Sequence, residues 1–222
     1  MIDKYIAPLT ETLWRFPLDN IIDEVSYARY CNAIEDGQTI LEYYSEPYLE
    51  HPDRMTLLQQ LLPLHAIARV IDDAVDIGLD PDRERILILI PILWKMAIQL
   101  QRLFPAYNDK IIEIIEQWCH YNRPNHPRTD TIGYKSLHFL LVEEVLNKGR
   151  NRDILIKSLN ILQVVDELED LTVTDLQSIL KQQPSLIRQL KQFGFINLSK
   201  LLHHHFTVIE RQIHVQRNTR QN

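Results

Sequence analysis

An all-α fold is what this sequence predicts, and three observations predict it. Among 222 residues there are only 5 glycines. Apolar residues recur at three- and four-residue spacing over long runs, the period of a helix with one buried face. Prolines and glycines gather between those runs, where helices stop and start. With 45% hydrophobic residues the chain can bury one sizeable core, so a single domain covering 1–222 is expected.

The elements follow in order. Residues 1–18, with Pro8 and Pro17, read as an irregular lead-in. A helix from Asn20 to Tyr44 is marked by Ile21, Ile22, Val25, Ala28, Cys31 and Ile34, with an interruption expected at Gly37. SEPYLEHPDR at 45–54 is a turn set by two prolines. The next helix starts between Thr56 and Pro63, because proline suits a first helical turn and disrupts an interior. It stops near Gly78, where Gly-Leu-Asp-Pro reads as a C-cap followed by a new start. Helices are predicted at 82–103, 107–121 and 133–148, the last two separated by the proline-bearing loop YNRPNHPRTDTIG. Another begins near Arg152. Thr174-Asp175 reads as a cap for a helix over 175–192, and a final helix covers 196–215 before a polar tail.

Composition narrows the functions. A net charge of −6 offers no basic footprint for nucleic acid. Cys31 and Cys119 stand far apart without ligand spacing, which fits reduced thiols in a cytoplasmic protein. No basic region followed by an apolar stretch follows Met1. The longest apolar run, ILILIPILW at 86–94, is shorter than a membrane span and contains Pro91, so it reads as a buried, kinked core helix. Glu143-Glu144 reads as a charged helix shoulder. His203, His204 and His205 point 100° apart on a helix and do not readily share one ion, so they read as a part-exposed helical run.

The chemistry lies in two acidic stretches. In LHAIARVIDDAVD, at 64–76, His65, Arg69, Asp72 and Asp76 are spaced 4, 3 and 4 and form one helical stripe, with Asp73 at its shoulder. In QVVDELED, at 163–170, Gln163, Asp166 and Asp170 are spaced 3 and 4, with Glu167 and Glu169 beside them. Carboxylates gathered together raise one another's pKa unless cations sit among them. The first group also lies at the C-terminal end of its helix, where the dipole is negative and a positive partner is needed. Oxygen ligands of this kind suit Mg²⁺, which keeps positions for water and phosphate oxygens. Arg69 fits either a diphosphate or an ion pair with Asp72 or Asp73 across a turn.

The first stretch resembles the first aspartate-rich motif of squalene/phytoene synthases and, more broadly, the Asp-Asp-x-x-Asp motif of class I terpenoid synthases. The second resembles the second motif of trans-prenyl diphosphate synthases, with Glu167 in place of an aspartate. The resemblance is specific over about 13 and 8 residues. It implies a helical bundle of the class I terpenoid synthase type. It also implies a Mg²⁺-dependent enzyme that ionises an allylic prenyl diphosphate to a carbocation, which cyclises or is quenched as pyrophosphate leaves. Asp72, Asp73, Asp76, Asp166, Glu167 and Asp170 would hold several Mg²⁺ ions, with Mn²⁺ as a substitute. Asp72, Asp76, Asp166 and Arg69 would carry catalysis. Arg69, Arg123, Arg128 and Gln163 would meet the diphosphate; Trp94, Trp118, Tyr134 and Phe139 would line an apolar cavity.

The pattern also departs from the family. Only 94 residues separate Asp72 from Asp166, no Arg-Arg-Gly follows the first motif, and no basic site for a second diphosphate is evident. A condensing prenyltransferase of the squalene/phytoene type is the alternative enzyme. A non-catalytic α-helical binding protein is the alternative of another class. The expected partner is a small prenyl diphosphate, with no nucleic acid and no membrane span; a homodimer is compatible with the sequence.

Overall fold

The computed structural model describes residues 24–77, 80–121, 132–166, 168 and 171–219. Among them are nine α-helices, three 3₁₀ segments and no strand, so the fold is all-α. The chain divides into two compact units, Met1–Leu41 with Pro52–Asn108, and Glu42–His51 with Asp109–Asn222.

The first unit is built on α1 (Glu24–Tyr44), α2 (Arg54–Ile77) and α3 (Asp80–Leu103). Helix α1 turns inward Tyr30, Ala33, Ile34 and Leu41, while Ala28 is exposed and Cys31 only partly covered, so the buried face is rotated from the expected one. The helix also runs through Gly37 without a break. The reason is tertiary: a Cβ at Gly37 would lie 2.3 Å from Cδ2 of His65 on α2. Glycine here permits helix contact and does not end the helix.

Helix α2 starts at Arg54, earlier than expected, and carries Pro63 in its interior. From Leu61 to Ala68 it is buried on nearly every side except at His65, as expected of a helix apolar all round. It ends at Ile77, one residue before Gly78, as predicted. Helix α3 packs against α2. Leu93, Met96, Ala97 and Leu100 are buried at spacings of 3, 1 and 3. The opposite stripe, Ile90, Trp94 and Ile98, is exposed, and so is Pro91. The expectation that 86–94 is a wholly buried run is therefore corrected: α3 is one-sided over its described part.

The second unit contains α4 (Asn108–Tyr121), from its second residue onward, the 3₁₀ segment Ile132–Phe139, α5 (Leu140–Asn147), α6 (Arg152–Asp166), α7 (Val173–Leu180), α8 (Gln183–Gln192) and α9 (Ile196–Thr219). Helix α6 packs on the 3₁₀ segment, α5, α8 and α9; α9 in turn packs on α7 and α8. The single helix expected over 133–148 is two pieces, with non-helical dihedrals at Ser136. Helix α5 ends on Lys148 and Gly149, both at positive φ, with their amides returning to the Glu144 and Glu143 carbonyls. That is a tight C-terminal cap.

The helix expected over 175–192 is likewise two helices. Pro184 falls in the first turn of α8, where its missing N–H costs nothing, and so starts a helix where it would have broken one. The cap of α7 is Thr172, not Thr174. Its hydroxyl accepts from the Asp175 amide at 3.2 Å, and the Asp175 carboxylate accepts from the Thr172 amide at 3.0 Å.

The segment Glu42–His51 joins the second unit although the chain on either side belongs to the first. Tyr44 is fully buried there, donating or accepting a 2.9 Å hydrogen bond with Ser158 of α6 and stacking on Phe139 at 5.9 Å.

Candidate functional site

The backbone places the first acidic stretch in the last four turns of α2, with its aspartates in the final two. His65, Arg69, Asp72 and Asp76 lie on one continuous helix, so the predicted stripe exists in register. His65 and Arg69 are also described as side chains. His65 is closed in by Gly37, and burial, with Arg69 beside it, holds its imidazole down to about 4. It is therefore neutral at pH 7. Arg69 is exposed one turn further on. The side chains of Asp72, Asp73 and Asp76 lie outside the described residues.

The second stretch begins in the last turn of α6. Gln163 is half-buried in its last turn and Asp166 is its final residue. The side chain of Asp166, and Glu167, Glu169 and Asp170, lie outside the described residues, as do Arg123, Arg128 and the side chain of Tyr134. Asp72, Asp73 and Asp76, and Asp166 of the second stretch, thus fall near helix C-termini, where backbone carbonyls add negative potential. Their donor set, carboxylate oxygen without thiolate or clustered imidazole, fits a hard divalent cation. Among the described residues, no group of three His, Cys, Asp or Glu side chains converges to hold a metal. His203 Nδ1 instead meets Gln183 at 3.2 Å, and His205 Nδ1 meets the Leu201 carbonyl at 3.0 Å.

Of the expected cavity-lining aromatics, Trp94 is 48% exposed on the outer stripe of α3. Phe139 is buried in the second unit between Tyr44 and His138, whose ring centroid lies 4.4 Å away. Trp118, on α4, meets His138 edge-on at 6.2 Å.

A second acidic group, which the sequence presents as a surface shoulder, is instead interior. Glu143 has no exposed surface and Glu144 has 5%. Glu143 accepts from the Tyr48 hydroxyl, from Asn147 Nδ2 at 2.8 Å and from the Asn151 amide at 2.6 Å. Tyr48 Oη accepts in turn from Asn147 and Asn151 at 3.1 and 3.2 Å. Burial, then the neighbouring Glu143 carboxylate, pushes the Tyr48 phenol well above its ordinary range, so it stays a donor. Glu144 pairs with Arg152 at 2.5 Å and lies over Gly149, where a Cβ would come within 2.7 Å of its Oε2. Arg152 extends the network to Gln117 at 3.4 Å. The only sequence signal was composition: Asn147, Asn151 and Arg152 follow the glutamates at spacings that return donors to the end of α5.

Comparison with protein-family models, with curated proteins and with solved structures finds no match.

Proposed function

We propose that the protein is a Mg²⁺-dependent enzyme of the class I terpenoid synthase type, ionising an allylic prenyl diphosphate and releasing pyrophosphate. The observation that carries this reading is that the aspartates of the first acidic stretch, and Gln163 and Asp166 of the second, fall in the closing turns of long helices, α2 and α6, in an all-α chain. Carboxylates added to the negative end of a helix dipole call for cations. In this reading Asp72, Asp73 and Asp76 bind metal at the first stretch, and Asp166, Glu167 and Asp170 at the second. Mg²⁺ held by these carboxylates would supply positive charge for the departing diphosphate. Arg69, exposed beside the first stretch, donates to diphosphate oxygens, and Gln163 serves the second stretch in the same way. His65, neutral and enclosed, packs behind Arg69 and holds no catalytic proton at pH 7.

The test is pyrophosphate release from geranyl, farnesyl and geranylgeranyl diphosphate supplied separately with Mg²⁺, each with product extraction. Release from one of them, giving a hydrocarbon or alcohol, is the expected result. A requirement for isopentenyl diphosphate or another acceptor would move the protein to the condensing class. No release, together with no Mg²⁺-dependent pyrophosphate binding by calorimetry, would leave a helical binding protein.

A further inference from the structure

The net charge of −6 conceals an uneven distribution. From Lys181 to Asn222 the sequence holds seven Lys and Arg residues and one acid, Glu210, whereas the whole chain holds 24 against 30. In the second unit this stretch folds as α8 and α9, packed on each other. Gln183, at the start of α8, meets His203 of α9 at 3.2 Å, so the two helices run antiparallel about the turn 193–195. Leu198, Leu202, Phe206, Ile209 and Ile213 form the buried face of α9. At 100° per residue Ile196, Lys200, His203, Arg211 and His214 share the opposite face, and all five are exposed. Arg188 and Lys191 are the exposed cations of α8. Among the described residues no carboxylate forms an ion pair with Arg188, Lys191, Lys200 or Arg211.

The turn between the two helices is apolar at its tip. Gly194 takes a φ of 87°, the left-handed conformation that ends α8 sharply. Its amide and that of Phe195 return to the Lys191 and Leu190 carbonyls at 3.2 and 2.9 Å. This closure turns Phe195 fully inward and leaves Phe193 44% and Ile196 40% exposed, with Lys191 and Lys200 bracketing them in the sequence. Glu46, the acid beside this turn, is engaged in capping α9, accepting from the Asn197 amide at 2.8 Å and from Asn197 Nδ2 at 3.0 Å. The tip is thus held in one shape before any partner arrives, which lowers the cost of binding. Outward aromatic and aliphatic side chains set between cations match a surface that offers anionic headgroups above hydrocarbon. A nucleic acid would engage the same cations but has no hydrocarbon to cover Ile196.

We propose that the hairpin of α8 and α9 is a peripheral docking surface for an anionic lipid bilayer, with Phe193 and Ile196 entering the headgroup layer and Arg188, Lys191, Lys200 and Arg211 meeting the lipid anions. The inference is independent of the enzymatic reading. Flotation of the full chain with vesicles of phosphatidylcholine, alone or with about 30% phosphatidylserine, tests it at about 0.1 M salt. Binding to the phosphatidylserine vesicles alone, lost as salt rises, is the expected result. Lys191→Glu with Lys200→Glu should weaken it at least about 20-fold, at about five-fold per lost cation. Phe193→Ser with Ile196→Ser should weaken it about ten-fold at unchanged charge. Should either double variant fail to fold, the wild-type comparison of the two vesicles, repeated with Arg188→Glu, still decides the matter. Equal behaviour with both vesicles, or binding to neither, would overturn the proposal. So would loss with the lysine pair but not with the Phe193 and Ile196 pair, because adsorption by charge alone needs no apolar tip. Retention on a duplex oligonucleotide without binding to anionic vesicles would likewise overturn it and assign the basic face to nucleic acid.

Discussion

Asp72-Asp73 and Glu143-Glu144 are both adjacent acidic pairs near the C-terminal end of a helix, yet the chain treats them differently. Around Glu143-Glu144 the sequence supplies internal donors: Tyr48 from a distant turn, Asn147 one turn on, the Asn151 amide at the next helix start, and Arg152. Two buried carboxylates are then satisfied without any added ion. Around Asp72-Asp73 the same helix offers Arg69 and then more acid, Asp76. A carboxylate pair with donors is a structural knot, whereas one followed by further carboxylate is, in the proposed reading, where cations would bind.

The comparison breaks most sharply at the helix ends. Asp72→Asn and Asp166→Asn should each lower Mg²⁺-dependent pyrophosphate release at least about 100-fold, with the urea midpoint unmoved. Full turnover in either variant would remove the enzymatic reading. Glu143→Ala should do the reverse in kind. It strands the Tyr48 hydroxyl, Asn147 and the Asn151 amide, and should destabilise the chain by about 3 kcal/mol in chemical denaturation.

A histidine sharpens the contrast. His65 has a folded value near 4 against 6.5 for an unhindered imidazole, so the unfolded chain binds the extra proton between those values. Its contribution to stability is complete above pH 6.5, falls as the pH drops toward 4, and amounts to about 2 kcal/mol once its partial exposure is considered. His65→Gln should flatten that part of the stability–pH curve. Gly37→Ala, which drives a methyl into the same ring, should cost about 2 kcal/mol by thermal or urea unfolding. The smallest effect is at the α7 cap, where Thr172→Ala should cost about 1 kcal/mol, while Thr174→Ala should cost less.

Much of the fold was legible because helices are written locally. The end of α2 before Gly78 and the start of α6 at Arg152 each follow from spacing or from a capping residue within a few positions. The acidic stripe of α2 is equally local, since His65, Arg69, Asp72 and Asp76 share a face wherever that helix forms.

Gly37 and Glu143 were misread, and the break before Pro184 was not anticipated, each for a reason that lies outside its own window. Gly37 looks like an interruption until His65 arrives against it. Pro184 breaks a helix or starts one according to whether the chain turns at 181–182. Glu143 looks solvated because adjacent glutamates on a short helix are usually surface groups, and its partner Tyr48 lies 95 positions away. The sequence by itself determined the all-α class, most of the helix positions and the two acidic stretches, because a 3.6-residue period and a cap depend on neighbours along the chain. Tertiary structure alone decided that segment 42–51 joins the second unit and that a glutamate pair is interior. Burial of a charge depends on which donors arrive from elsewhere, and no local pattern encodes that arrival.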